Sequence, residues 1–363
     1  MKSPQQHKLA VWAITPNGAR LADRLADSLK EVTVYISQNL PHTRSSHVLF
    51  ERLSVTLAEK FRQYTGHIFI MSTGIVVRVL APLVQNKIKD PAVVVVDDLG
   101  KHAISLLSGH IGGANELARD IAHIVEAEPV ITTATDINAL PAIDVIAVEN
   151  GLVIENPGAI KSVNMALLNK KRITVHDPAN LLGEILDSEK YEALFNRMHD
   201  FQEFLQQFEI HNNSCVYIDD RIVELPSHVL ILRPPSLVAG IGCNRGTDRR
   251  EIGKLLGQVL KSNRLSLSSL TCLASIDVKN DEAGLIETSR QLELPLVFFK
   301  REELNQVRGI QNPSQIVEHH VGVRSVCEAA AILASRSGTL IVPKNSTKNV
   351  TVAIARTASL SLE

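Results

Sequence analysis

The chain has 363 residues, enough for two or three domains at ~100–200 residues each. Hydrophobic residues make up 45% and charged residues 21%, an ordinary globular composition that excludes a disordered or fibrous chain. Lys+Arg 38 against Asp+Glu 39 leaves a net charge of −1, so the clustered basic excess of a nucleic-acid binder is missing, while local basic pockets for a small polyanion stay allowed.

Leu9–Thr15 reads as a short buried strand ended by Pro16-Asn17-Gly18, and Leu21, Ala22, Leu25, Ala26 and Leu29 follow at helical spacing. Val32–Ile36 is β-branched and strand-like. Val48–Tyr64, with Leu49, Leu53, Leu57 and Phe61 four apart, predicts one amphipathic helix. His67–Met71 is a strand, Ser72-Thr73-Gly74 a turn, and Ile75–Leu80 a helix running to Pro82. Val93–Val96 and His102–Leu107 form a hairpin across Asp97–Lys101. Ser108–Gly113 is a loop before a helix carrying Ala114, Leu117, Ala118, Ile121, Ala122 and Val125, and Val130–Thr133 is the last strand of this domain. Strands alternating with helices argue for α/β architecture with parallel strands.

The middle segment mixes helices (Ile160–Leu168, Tyr191–Phe208) with short strands (Val216–Ile218, Val229–Leu232), and Pro234-Pro235 is the clearest linker signal. Beyond it Leu237–Ile241 is a strand. Asp248 and Glu251 form a capping-box-like start to a helix burying Ile252, Leu255, Leu256, Val259 and Leu260. Asn280 or Asp281 is expected to cap the next helix. Leu294–Phe299, Thr339–Val342 and Lys348–Ala355 are strands, and Val326–Ala334 is an Ala-rich helix. The expectation is an α/β fold: two α/β units with largely parallel sheets, residues 1–137 and 235–358, joined by a smaller mixed α/β middle segment, 138–234, with 359–363 as a tail.

Aromatic residues at 4% favour neither base-stacking platforms nor protein–protein hot spots. The four cysteines are far apart with no CxxC spacing, which argues against a structural zinc site. No secretory signal pattern opens the chain, and apolar runs such as Ala92–Val96 are far below the ~20 residues of a membrane span, so a soluble cytoplasmic protein is expected.

Three loops share a strand–small residue–helix layout: Ser72-Thr73-Gly74, Ser108–Gly113 and Gly240–Thr247. Such turns expose backbone N–H groups at a helix start and favour carboxylate or phosphate, although many of them bind nothing. None is a Walker loop, and Gly240-Ile241-Gly242 lacks the third glycine of a dinucleotide fingerprint. His110, inside a glycine-rich loop, is the first choice for proton transfer, against the plainer reading of a histidine bonded to a loop carbonyl. Asp97 and Asp98 read either as a hydrophilic turn or as a carboxylate that orients His110 or activates water. Of Asn115 and Glu116, one caps the helix and the other is placed to reach a ligand. Arg78 and Lys87 matter only for an anionic ligand, whereas Arg245 stands inside a glycine loop where a solvated face explains it poorly. Cys243 and Cys327 read first as small buried residues, Asp277, Lys279, Asp281 and Glu282 as a turn and cap, and Lys344 as ligand-facing behind Pro343.

Gly74-Ile75-Val76-Val77-Arg78, Ala81-Pro82, Asp90-Pro91-Ala92-Val93-Val94-Val95 and Leu106–Asn115 together resemble the cobalamin biosynthesis protein G family. Gly240-Ile241-Gly242-Cys243 with Arg245-Gly246, Leu273–Asp277, Lys279 with Asp281-Glu282, Val323 through Ser325–Ala331, and Val350–Arg356 are similar to that family's C-terminal domain. The resemblance covers nearly the whole chain, is weakest in the middle segment, and departs from the expected pattern at Asn244. It implies a cobalt-precorrin-5A hydrolase of the anaerobic route to vitamin B12, which opens the δ-lactone and releases C20 with its methyl group as acetaldehyde. Cobalt then belongs to the substrate, and no cofactor or protein metal site is required. Neighbouring corrinoid methyltransferases are implied as transient partners, with no nucleic acid and no membrane.

Lactone opening needs a base for water and donors for an oxyanion. The roles assigned on that chemistry are His110 as base, with Asp97, Asp98 or Glu116 as further catalytic groups and the Gly112 and Gly113 amides at the oxyanion. Substrate carboxylates are expected at Ser72, Thr73, Gly74, Arg78, Lys87, Ser108, Gly109, Asn115, Gly242, Cys243, Arg245, Gly246, Thr247, Ser275, Lys279 and Lys344. Two alternatives stand: a non-catalytic corrinoid carrier, and a phosphate-ligand enzyme using Gly240–Thr247.

Overall fold

The computed structural model describes residues 8–41, 44–85, 89–211, 214–313, 322–336 and 338–358. They form two units, Met1–Val145 and Ile146–Glu363. The first carries seven strands: β1 (Leu9–Ala13), β2 (Val32–Ser37), β3 (Val48–Phe50), β4 (Gly66–Ile70), β5 (Ala92–Val96), β6 (His102–Leu107) and β7 (Glu128–Val130). They lie in the order β3-β2-β1-β4-β5-β6-β7. All neighbours run parallel except β5 and β6, the hairpin the sequence predicts.

The continuous apolar runs follow from two covered faces. Leu9, Val11 and Ala13 of β1 face α1 (Pro16–Ser28) and α4 (Ala114–Val125), through Ala22, Leu25, Ala118 and Ile121. Ala10 and Trp12 face the other way, toward Leu57 of α2 (Leu53–Lys60) and Val76 and Leu80 of α3 (Thr73–Leu80). One expectation fails here. Val48–Phe50 is not the first turn of a helix but a strand, because Tyr35, Ile36 and Ser37 of β2 offer it a parallel edge; the helix starts at Leu53.

Topology sorts the loops. The chain leaves β1 toward β2 and β3 on one side and resumes at β4 on the other, so β1 and β4 flank the switch point of the sheet. The carboxyl ends of β1, β4 and β5 bring Thr15, Asn17, Ser72–Gly74, Asp97 and Asp98 to one edge. Strand β6 then runs back, pairing Leu107 with Val93, so Ser108 opens at the opposite edge. Because β7 is parallel to β6, its end leads to that same edge, where α5 (Ala134–Ile137) and α6 (Ile143–Glu149) follow.

The second unit holds two five-stranded sheets. One has β8 (Val153–Ile154), β9 (Ile173–His176), β10 (Phe195–Met198), β11 (Cys215–Ile218) and β12 (Leu230–Arg233) in the order β10-β9-β11-β12-β8, with β8 antiparallel. The other has β13 (Leu237–Cys243), β14 (Leu270–Ile276), β15 (Leu296–Phe299), β16 (Thr339–Ser346) and β17 (Val350–Arg356) in the order β15-β14-β13-β17-β16, with β16 and β17 antiparallel. The helix expected over Tyr191–Phe208 is instead β10 followed by a helix at Phe201–His211, whose start Asp200 caps by accepting the Glu203 amide at 2.9 Å. The helix after β14 begins at Ala283 with Glu282 as its cap residue, not Asn280 or Asp281.

Pro234 and Pro235 do not act as a free linker. Ser236 beside them is buried and its hydroxyl donates to Asp220 at 2.7 Å. Asp220 also takes the Arg356 guanidinium at 2.7 and 2.8 Å. Arg233, 1% exposed, pairs with Glu155 and donates to the carbonyls of Asp219 (2.8 Å) and Arg221 (2.6 Å). Ser266 closes the joint by donating to Glu155 at 3.1 Å.

Candidate active site

The Ser108–Gly113 loop is built by close packing. Ser108 takes a positive φ of 59°, and its hydroxyl donates to the Asp90 carbonyl at 2.9 Å. A Cβ on Gly109 would lie 2.7 Å from the Asn115 Oδ1, and one on Gly112 would collide with Ser108. Gly113 is the residue before α4 and holds φ 80°, a left-handed conformation that favours glycine. Its amide donates to the His110 carbonyl at 2.8 Å. Gly113 is therefore not the oxyanion donor expected of it: its N–H is already used to close the loop.

His110 is the centre of a polar cluster at this edge. Its Nε2 lies 3.0 Å from Asp136 Oδ2 and 2.9 Å from the Thr135 hydroxyl, and its Nδ1 lies 3.6 Å from Asp144 Oδ2. The side chains of His110, Asp136 and Asp144 are 16%, 19% and 4% exposed. Asp136 is held in turn by Arg119 at 2.8 Å and by the Asn115 amide at 2.9 Å. Asn115 is buried; it also donates to Thr133 at 3.1 Å and accepts from Ser105 at 2.7 Å. The Asp144 carboxylate first, and Asp136 with it, hold the His110 pKa above the ordinary imidazole value against the opposing effect of burial.

The carboxylates beside His110 are thus Asp136 and Asp144, not Asp97 or Asp98. Asp97 closes its own turn, accepting from the amides of Leu99 (2.9 Å) and His102 (2.6 Å). Burial pushes its pKa up, but the amides of Leu99, Lys101 and His102 outweigh this and lower it. Asp98 accepts from Thr15 and from Asn17 (3.1 Å) at the start of α1. Both stand at the far end of β6, about six residues or ~20 Å away. Ser72, Thr73 and Gly74 lie at that far edge too, and Arg78 folds back on its own helix, donating to the Gly74 carbonyl at 2.9 Å. These four do not share a mouth with His110. Glu116 is exposed on α4, and Lys87 lies outside the described residues.

In the second unit Gly242, Cys243, Arg245, Gly246, Thr247, Ser275 and Lys279 do gather at the carboxyl ends of β13 and β14. Their polar groups are already paired. Arg245 meets Asp281 at 2.5 Å and donates to the Val278 carbonyl at 2.9 Å. The Gly246 amide donates to Glu282 at 2.8 Å, and Lys279 lies 3.5 Å from the same carboxylate. Ser275 donates to the Ile241 carbonyl at 2.7 Å and Thr247 to the Asn244 carbonyl at 2.8 Å. Lys344 is half-buried on β16, and its main-chain amide donates to the buried Glu328 at 2.8 Å. Burial pushes the Cys243 thiol up to about 11, which leaves it un-ionised near neutrality. Arg245 is 62% exposed, so the expectation that it escapes a solvated face is corrected.

Asp136, Asp144, Thr135 and Arg119 were not singled out in the sequence. Their signal was available in part. A βαβ unit, β6–α4–β7, puts the residues after its second strand next to the loop after its first. That topology sets Thr133–Asp136 beside the His110 loop. Nothing local marks Asp144, seven residues beyond α5. Among the described residues no helix is long and apolar enough to cross a membrane.

Comparison with known proteins adds three matching family profiles. They are described as Cobalamin synthesis G N-terminal, over residues 55–136, Cobalamin biosynthesis central region, over 141–234, and Cobalamin synthesis G C-terminus, over 237–355. The chain is 33% identical over 374 residues to the Cobalt-precorrin-5A hydrolase of Priestia megaterium, covering 97% of this chain and 95% of that protein. It is 37% identical over 338 residues to the Cobalt-precorrin-5A hydrolase of Salmonella typhimurium, covering 93% and 94%.

Proposed function

The chain belongs to the cobalamin synthesis G family, and from that premise we propose that it is a cobalt-precorrin-5A hydrolase whose proton-transfer residue is His110. The observation that carries the residue assignment is the placement of His110 between Asp136 (3.0 Å) and Asp144 (3.6 Å) at the carboxyl ends of two parallel strands. A histidine with a fixed carboxylate behind it can move protons at near-neutral pH.

The chemistry fits one such group. In the first step water adds to the lactone carbonyl and the ring oxygen leaves as a hydroxyl. In the second the freed C20 hydroxyl loses its proton as acetaldehyde departs, and the conjugated macrocycle accepts the electron pair. His110 serves the proton movements, and Asp136, fixed by Arg119 and Asn115, orients its ring. With the Gly113 amide used inside the loop, Gly112 is the amide we assign to the developing oxyanion. Cobalt enters as part of the substrate, and the reading calls for no resident cofactor. Cys243, Cys272 and Cys327 are free thiols, which suits a reducing compartment, and we place the protein in the cytoplasm.

The test is anaerobic incubation with cobalt-precorrin-5A, measuring acetaldehyde and product mass. Acetaldehyde release by the wild type and its loss in His110→Gln with unchanged circular dichroism support the reading. Tight binding of the substrate with no acetaldehyde describes a carrier instead.

A further inference from the structure

His110, the proton-transfer residue of the proposed hydrolase, stands between two carboxylates. Carboxylate oxygens accept hydrogen bonds and donate none. Nε2 of His110 faces Asp136 Oδ2 and Nδ1 faces Asp144 Oδ2. A neutral imidazole has one N–H; even with that on Nδ1 and the Thr135 hydroxyl donating to Nε2 at 2.9 Å, the Nε2 lone pair stands 3.0 Å from Asp136 Oδ2. An imidazolium meets both. The two carboxylates differ in their need for it. Asp136 has Arg119 and Asn115 as further partners. Asp144 Oδ1 is shut off from solvent with no hydrogen-bond partner among the described residues, and His110 is the cation that faces its Oδ2. The charged groups facing His110 are Asp136 from α5 and Asp144 from α6, while Arg119 of α4 reaches only the far oxygen of Asp136.

We propose, building on the hydrolase reading, that His110 rests as an imidazolium clamped between Asp136 and Asp144, that it enters lactone opening as the proton donor, and that Asp144 is the positioning residue that keeps it charged. Nδ1 is the donating nitrogen, because at 3.6 Å it is paired with Asp144 by charge at a separation longer than a hydrogen bond, whereas Nε2 is held at 2.9 and 3.0 Å by Thr135 and Asp136. The oxygen of water bonds to the lactone carbonyl carbon, the bond from that carbon to the ring oxygen breaks, and the ring oxygen takes the Nδ1 proton to become a hydroxyl. The neutral imidazole then takes the surplus proton of the added water. His110 is restored to its starting state, and the product is the hydroxy acid. The raised pKa of His110 agrees with this resting state.

Two measurements on the full chain test it. In the first, nitrogen NMR of labelled histidine, with His110→Gln identifying the resonance, reads the ring directly. We expect both His110 nitrogens protonated at neutral pH, and Asp144→Asn to lower the titration midpoint by about one pH unit. A neutral His110 ring at pH 7 in the wild type overturns the proposal. In the second, kcat for lactone opening is followed against pH. We expect it to fall as pH rises through that midpoint. In Asp144→Asn the falling limb moves down, lowering kcat roughly tenfold at about pH 8 with KM within about twofold. Asp144→Glu, which keeps the charge, restores the limb. A rate that instead rises with pH through the midpoint, with Asp144→Asn faster than wild type at low pH, means that His110 works first as a base and overturns the proposal. A wild-type chain that releases no acetaldehyde ends the hydrolase reading, and the NMR titration still decides the ionisation.

Discussion

The Ser108–Gly113 and Gly242–Thr247 loops have the same layout, strand, glycines and helix, yet they differ in what their neighbours supply. At the first, the parallel strand β7 delivers Asp136, α6 delivers Asp144, and both converge on a histidine. At the second, each cation meets an acid of the fold: Arg245 with Asp281, Lys279 with Glu282, and the Gly246 amide with Glu282 again. A glycine-lined helix start therefore offers donors to a ligand only where the chain's own carboxylates leave them unclaimed. Even at the first loop, close packing on Ser108 and Asn115 and a left-handed φ account for the absence of side chains at the glycines. What separates the two is the chemistry brought in by adjacent strands.

The sharpest way to break this contrast is to remove the histidine. His110→Gln should lower acetaldehyde release by about 10²–10⁴-fold with the fold intact, the usual range for a general acid or base. An enzyme of undiminished rate would reduce the first loop to the status of the second. Next in size is Asp136→Asn, which keeps the shape but removes the carboxylate behind Nε2. We expect a loss of about 10–10²-fold in kcat with little change in KM, since Asp136 acts through His110 and not on the substrate.

Much of this was legible before the structure. The apolar runs Leu9–Ala13 and Ala92–Val96 are continuous because both faces of a doubly wound sheet are covered, and their short length, with β-branching in the second, marks them as strands. His110 stood out because a histidine among glycines has no packing reason to be there. The misreadings have a common cause. Val48–Phe50 carries a helical spacing, but the open edge of β2 captured it, and edges are not visible in local sequence. Asp97 and Asp98 are near His110 in number and a strand's length away in space, because the hairpin puts its two ends at opposite edges. Asp136 and Asp144 are 26 and 34 residues from His110 and were hidden for the opposite reason. Pairing of β7 with β6, not sequence distance, decides who meets whom.

Away from both loops, two buried polar groups test the scaffold that holds them, one in each unit. In the second unit Arg233 is a buried guanidinium held by Glu155 and two carbonyls. Glu155→Gln leaves it charged without its counterion, and about 3 kcal/mol of stability should be lost in urea unfolding. In the first unit His67 accepts from Trp12 Nε1 at 3.1 Å, donates to the Phe61 carbonyl at 3.0 Å, and stacks against Phe61 and Phe69. Burial pushes its pKa down to about 4. The unfolded chain, with a histidine near ~6.5, binds the proton first as pH falls. Stability from His67 is therefore complete above pH ~6.5 and lost progressively toward pH ~4, by about 2 kcal/mol at pH ~5. Trp12, the one tryptophan of the chain, touches His67 and reports the urea midpoint by fluorescence. A midpoint unchanged between pH ~7.5 and ~5 would show His67 to be free to take its proton inside the fold.

The smallest effect is expected at Arg245, and it is the most direct test of the second loop. Arg245 and Asp281 are 62% and 64% exposed, so their ion pair is solvated and contributes little to folding. The guanidinium is also turned onto the Val278 carbonyl, which fixes it along the protein surface. Arg245→Ala should leave the melting temperature unchanged and move KM by less than about twofold. A tenfold rise in KM with kcat unchanged would mean that Arg245 exchanges Asp281 for a carboxylate of the substrate, since a group that binds ground state and transition state alike alters KM alone. Arg245→Ala in an Asp281→Asn background then separates the two cases. If Asp281 is the permanent partner, removing it first leaves the arginine idle, and the second change does nothing further. If Asp281 is a competitor, removing it frees the guanidinium and lowers KM, and only then does the loss of Arg245 register in full.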